Sequence, residues 1–196
     1  KGSFYGRIAY ILTPIDSNQS QVVVNMNVYV ELSAGSAPIV EVSTNTGTNR
    51  LVFSSKGMGQ KNESVFKDNP QVSIKCRAPL GMPYRIYQSF EGGNVMSGSG
   101  EEFDLKNIRF TASGGQNGRL TSEGDLAAAK QKQLIYTSDP EGSESAFIIV
   151  YKPAQDFRFA KTTDYKTKLN FVMEKDGVAS VAPEVVGSLD VEINIV

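Results

Sequence analysis

The stretch QVVVNMNVYVE, residues 21–31, puts Val22, Val24, Met26, Val28 and Val30 on one parity and Asn25, Asn27, Tyr29 and Glu31 on the other. In an extended chain successive side chains point to opposite faces. A period of two therefore predicts a strand with one apolar face and one largely polar face. The device returns near the C-terminus. Tyr165, Thr167, Leu169, Phe171 and Met173 alternate with Lys166, Lys168, Asn170 and Val172, and Leu189, Val191, Ile193 and Ile195 alternate with Asp190, Glu192 and Asn194. At the other end Phe4, Ile8, Tyr10 and Leu12 share one parity of a strand expected over Phe4–Leu12.

Further strands are expected over Ile39–Ser43, Arg50–Ser54, Gln71–Arg77, Tyr84–Phe90, Asn107–Ala112, Leu134–Thr137 and Glu144–Lys152. Turn-forming runs separate them, at residues 33–36, 56–59, 68–70, 91–94, 113–118, 139–142 and 175–177. Only Ser122–Gln133, with an Ala-rich body and Ser122 as a cap, reads as helical. The expectation is an all-β, immunoglobulin-like β-sandwich of roughly ten to twelve strands, with one short helix in a loop. No internal repeat or long linker interrupts it, so residues 1–196 are read as a single domain.

Composition narrows the function classes. Twenty basic against 21 acidic residues leave a net charge of −1, which provides no electrostatic footprint for nucleic acid. There is no histidine, so the commonest metal ligand and the one unperturbed near-neutral titrating group are missing. Cys76 is the single cysteine, which excludes an intrachain disulfide and a thiolate zinc site. No window reaches the roughly 18 apolar residues of a membrane span. The chain starts at Lys1 rather than Met, which reads as an exported protein whose leader has been removed, with a trimmed chain as the alternative. No cofactor is expected, and no enzymatic activity.

Three segments carry a family resemblance. Leu51-Val52-Phe53 leads into a Gly-rich turn; Val72–Cys76 is followed by Pro83-Tyr84-Arg85-Ile86; and Asp164–Phe171 forms a Tyr-x-Thr-x-apolar-x-apolar strand. Over Leu51–Val172 the chain resembles the β-sandwich of the spore coat protein U family and the related archaic chaperone–usher pilins. It departs from that pattern in lacking a second cysteine and in having Thr163-Asp164 where Pro-Gly often precedes the last tyrosine. The resemblance implies a subunit of an extracellular filament, pilus or surface coat. Its partners would be copies of itself and a chaperone or assembly machinery, with assembly by strand exchange between subunits.

The physics of that exchange is general. An open strand edge offers unpaired N–H and C=O groups, and a peptide of matching alternation can add to it. Residues 4–12 and 189–196 are the candidate inter-subunit strands, through Phe4, Ile8, Tyr10 and Leu12 and through Leu189, Val191, Ile193 and Ile195. The plainer alternative is that each strand completes its own sheet. Cys76 likewise reads either as a small buried hydrophobe or as an intermolecular disulfide.

Rival functions rest on other residues. Tyr84, Tyr87 and Phe90 with Arg85 could stack sugars in a monomeric adhesin, although core burial is the plainer reading and no tryptophan supports them. Glu101-Glu102-Phe103-Asp104 and Asp139-Pro140-Glu141 are the acidic candidates for catalysis or calcium. Adjacent acids on a strand diverge, and calcium wants about six to eight spaced oxygens. Asn18-Gln19-Ser20 and Asn62-Glu63-Ser64 match the N-glycosylation triplet. A viral jelly-roll capsid or spike protein is the remaining alternative.

Overall fold

The computed structural model describes residues 2–12, 22–32, 39–55, 69–78, 82–141, 144–154, 163–175 and 183–195. The chain divides into two compact units, Lys1–Ser36 and Ala37–Val196, where the sequence reading takes residues 1–196 as one sandwich. In the first unit β1 (Gly2–Leu12) and β2 (Val22–Leu32) form an antiparallel hairpin. Their pairing runs from Gly2↔Leu32 to Leu12↔Val22 without a shift. Gly6 opposes Val28, Ile8 opposes Met26 and Tyr10 opposes Val24, so the two apolar parities fall on one face.

The second unit contains thirteen strands among the described residues: β3 (Ile39–Thr44), β4 (Arg50–Ser55), β5 (Gln71–Arg77), β6 (Tyr84–Phe90), β7 (Val95–Met96), β8 (Glu102–Phe103), β9 (Ile108–Gly114), β10 (Gly118–Leu120), β11 (Glu123–Asp125), β12 (Gln133–Ser138), β13 (Ser145–Pro153), β14 (Thr163–Lys175) and β15 (Glu184–Ile195). One sheet has the order β10-β12-β6-β14-β15-β4 and the other β11-β9-β13-β5-β3, with β7–β8 a separate ribbon. This is an all-β, immunoglobulin-like sandwich. All pairings are antiparallel except β15 with β4, which run parallel from Asp190↔Arg50 to Ile195↔Ser55.

Alternation builds the core. Strand β5 buries Val72, Ile74 and Cys76, β13 buries Phe147, Ile149 and Tyr151, and β14 buries Tyr165, Leu169, Phe171 and Met173. Each large side chain so buried contributes about 1.5–3 kcal/mol before ordering costs. Strands β3 and β4 belong to one segment that changes sheet at a turn, where Gly47 takes φ +68 and its N–H donates to the Thr44 carbonyl at 3.1 Å. Thr44 in turn donates its hydroxyl to the Thr48 carbonyl, so the corner satisfies its own polar groups. That switch places Leu51 and Phe53 under the six-stranded sheet, both 1% exposed.

The helix expected over Ser122–Gln133 is not formed. Glu123–Asp125 instead pairs with β9, and the Ala-rich run makes a single 3-10 turn, Ala127–Lys130. The physical reason is tertiary. Leu126 and Ala129 are fully buried, and pairing at Thr111, Phe110 and Arg109 outweighs the weak helix propensity of a short segment.

Candidate functional site

The two terminal strands named from the sequence have different surroundings. Strand β15 lies inside its own sheet, paired on one side with β14 and on the other with β4. Leu189, Val191, Ile193 and Ile195 all point into the core and are 5% exposed or less. From Asp190 to Ile195 its main-chain groups already face neighbours on both sides. In β1, by contrast, Ile8 is 44% exposed and Tyr10 is 55% exposed. Facing them across the hairpin, Val24 and Met26 are exposed as well. The side chains of Phe4 and Leu12 lie outside the described residues.

Within the described residues of Lys1–Ser36 no second layer covers this face. A two-stranded hairpin in water has little stability of its own, and exposed apolar surface on it calls for a partner layer. Gly6 adds a detail that the sequence reading passed over. A Cβ built there meets no described atom within 4 Å, so position 6 lies in open space beside Ile8. The signal was available, since position 6 shares the parity of Phe4 and Ile8.

The open edges of the sandwich are unequal. On one side the last strands are β10 and β11, only three residues each. On the other side they are β3 and β4, six residues each, and both come from the segment that changes sheet. Short edges blunt unwanted pairing, and among the described residues the β3–β4 side is the longer edge with no further strand beside it. Arg50 at the start of β4 is paired with Glu192 on β15, across the parallel ladder.

The aromatic patch does not come together on the surface. Tyr84 and Phe90 are buried, while Tyr87 lies on the outer face with the Lys132 ammonium 4.0 Å from its ring centroid. Tyr84 packs with Tyr136 at 5.9 Å, and Tyr136 stacks on Phe147 at 5.2 Å. Among the acids, Glu102 is paired with Lys130 and Asp104 accepts from the Lys106 N–H at 3.1 Å. No three His, Cys, Asp or Glu side chains converge to hold a metal among the described residues. The triplets at Asn18 and Asn62 lie outside the described residues.

Cys76 is a free thiol, 4% exposed, in the core. Burial pushes it up to about 12, with a hydrogen bond to Tyr84 pulling the other way. Burial also raises Tyr84, Tyr136 and Tyr151 above the usual phenol range. None of these groups ionises near neutrality, so this cluster offers no nucleophile or general base there. The thiol borders a surface hollow of about 350 Å³ whose rim includes Lys75, Glu144 and Arg77, the last two paired at 2.6 Å.

No helix among the described residues is long and apolar enough to cross a membrane. No family model matches the chain, and no curated protein matches it. Among solved structures it is similar to the CooA pilin subunit from enterotoxigenic Escherichia coli, at 6% identity over 81% of this chain and 99% of that one, TM-score 0.38. It is also similar to the periplasmic chaperone SfaE, at 13% identity over 79% of this chain and 57% of that one, TM-score 0.33. The collagen-binding domain of a Staphylococcus aureus adhesin matches at 8% identity over 69% of this chain and 99% of that one, TM-score 0.25. Likenesses this loose carry no argument, and the fold is read from its own strand order.

Proposed function

We propose that this chain is a non-enzymatic structural subunit of an extracellular microbial filament, pilus or surface coat, joined to copies of itself by β-strand contacts. The observation that carries the reading is the N-terminal hairpin. It presents exposed Ile8, Tyr10, Val24 and Met26 on one face and exposed Ile11 and Val23 on the other, while β15, the other candidate strand, is paired with both β14 and β4 over Asp190–Ile195. The donating element is therefore the N-terminal segment. The accepting edge is the β3–β4 side of a neighbour, where two six-residue strands close the sheets. Main-chain hydrogen bonds would provide continuity, and the apolar parity would provide register.

Exported localisation and help from a chaperone belong to the same proposal. An exposed apolar ribbon is an aggregation hazard until it is paired, which is the condition a holding partner relieves.

Negative-stain electron microscopy and sedimentation velocity of the full chain test the proposal. Ordered filaments or arrays are the expected result. A chain that stays monomeric at every concentration and binds a defined glycan would replace this reading with a monomeric adhesin.

A further inference from the structure

We infer that Asn117 is a site of spontaneous covalent modification, at which the backbone nitrogen of Gly118 attacks the Asn117 side-chain amide and converts it to an acid. The inference is independent of the assembly role proposed above.

The reaction needs a small residue after the asparagine and a backbone N–H open to water. Asn-Gly occurs once in the chain, at residues 117–118. Asn94, Asn107 and Asn170 precede Val95, Ile108 and Phe171, whose side chains crowd the attacking nitrogen. The fold also requires the pair to stay as it is. Asn117 has φ +60, a left-handed conformation that asparagine tolerates better than bulky or branched residues do. At Gly118 a Cβ would sit 2.4 Å from both the Thr137 carbonyl oxygen and the Tyr136 hydroxyl.

The ladder leaves the nucleophile open. Gly118 lies opposite Ser138 in the antiparallel pairing of β10 with β12, and the Asp139 N–H donates to the Asn117 carbonyl at 3.0 Å. Hydrogen-bonded and non-hydrogen-bonded pairs alternate along such a ladder. Gly118–Ser138 is therefore a non-hydrogen-bonded pair, and the Gly118 N–H turns away from β12. Because β10 is the last strand of its sheet, no described strand lies on that side to accept from it. Asn117 and Gly118 are both exposed, so hydroxide and water reach them.

Hydroxide removes the Gly118 amide proton, and the nitrogen bonds to Cγ of Asn117. The side-chain nitrogen takes a proton from water and leaves as ammonia. Water then opens the cyclic imide at either carbonyl, giving aspartate or isoaspartate. Water is consumed and ammonia released, with no change of oxidation state.

The product alters a corner of the fold. Nδ2 of Asn117 donates to the Glu144 carbonyl at 3.0 Å, holding the loop between β9 and β10 against the residue before β13. A carboxylate has no hydrogen to donate there and turns an oxygen toward an oxygen. Isoaspartate also adds a backbone methylene beside the Gln116 and Asn117 carbonyls, which the Tyr136 hydroxyl approaches at 3.0 and 2.8 Å. Both products loosen the passage of the chain from the sheet of β9 to the sheet of β10.

The test incubates the full chain, native and urea-unfolded, at mildly alkaline pH and maps peptides by mass spectrometry that separates aspartate from isoaspartate. In the native chain Asn117 should gain about one dalton at least about tenfold faster than any other asparagine, with both products present. Asn117→Gly keeps the left-handed backbone accessible and should remove this early gain, with the fold confirmed by circular dichroism. Asn117→Asp, which reproduces one product, should lower the melting temperature by about 2–4 °C. Earlier conversion of another asparagine, or an early gain that persists in Asn117→Gly, would place the reactive site elsewhere. A native rate more than about a hundredfold below the unfolded rate would mean that the fold shields the pair, and would overturn the inference.

Discussion

Tyr151 on β13 donates its phenolic hydrogen bond to Oε1 of Gln88 on β6 at 2.9 Å, joining the two sheets through the middle of the core. Both residues are fully buried. Gln88 passes the interaction on, since its Nε2 donates to Oε1 of Gln133 at 2.8 Å, and Gln133 Nε2 donates to the Asp125 carbonyl at 2.7 Å. The relay ties the strand that replaces the expected helix to the centre of the sandwich.

Removing the phenol should expose that dependence. Tyr151→Phe leaves the Gln88 acceptor buried without its donor, at an expected cost of about 1–3 kcal/mol in urea unfolding. In a double-mutant cycle with Gln88→Met the two losses should not add, because each single change already breaks the same bond. Additive losses would show that the two groups act independently.

Two glycines are expected to resist substitution for different reasons. At Gly187 on β15 a Cβ would sit 2.5 Å from Cγ2 of Val42 on β3, where the two sheets meet. At Gly114 the backbone has φ +95 and a Cβ would sit 2.6 Å from the Ala146 carbonyl oxygen. Gly187→Ala and Gly114→Ala should each destabilise by more than about 1 kcal/mol, whereas Gly98→Ala, with open space around it, should stay within about 0.5 kcal/mol. Thermal melts of the three variants would rank them.

Cys76 links stability to alkaline pH. The unfolded thiol ionises near 9.0, while the folded thiol stays protonated up to about 12. The unfolded state therefore releases its proton first, and stability should fall as pH rises through that window. Tyr84 and Tyr151, raised from 10.0, add to the slope at its upper end. Between 9 and 10 the decline belongs mainly to Cys76, and Cys76→Ala should flatten it. The native thiol should also resist iodoacetamide near neutrality and react on unfolding.

Strand β15 should behave as core. Ile193 is fully buried, so Ile193→Ala is expected to cost about 2–5 kcal/mol in urea unfolding. A small cost would mean that β15 does not hold its place between β14 and β4.

Much of this architecture was legible beforehand. Alternation over Tyr165–Met173 and Leu189–Ile195 falls inside β14 and β15, and the strands expected over Gln71–Arg77 and Tyr84–Phe90 coincide with β5 and β6. The short strands β7, β8, β10 and β11 were not anticipated, because two or three residues are too few to display a period. The helical reading of Ser122–Gln133 failed because local propensity is weak and a neighbour on β9 was waiting to pair. Of the candidate site, Ile8 and Tyr10 were visible in sequence as a parity, but their exposure, and that of Val24 and Met26 opposite them, came from the structure.

The order of side chains along the chain was enough to establish an all-β fold, the faces of its strands and the lack of a histidine or paired-cysteine site. It established these because a strand's period of two is a local property. Which strand lies beside which is not local. The parallel seating of β4 against β15, the burial of Gln88 under Tyr151 and the enclosure of Ile193 came from the tertiary structure alone. Alternation specifies which way a side chain points, and only the closed sandwich specifies what it meets there.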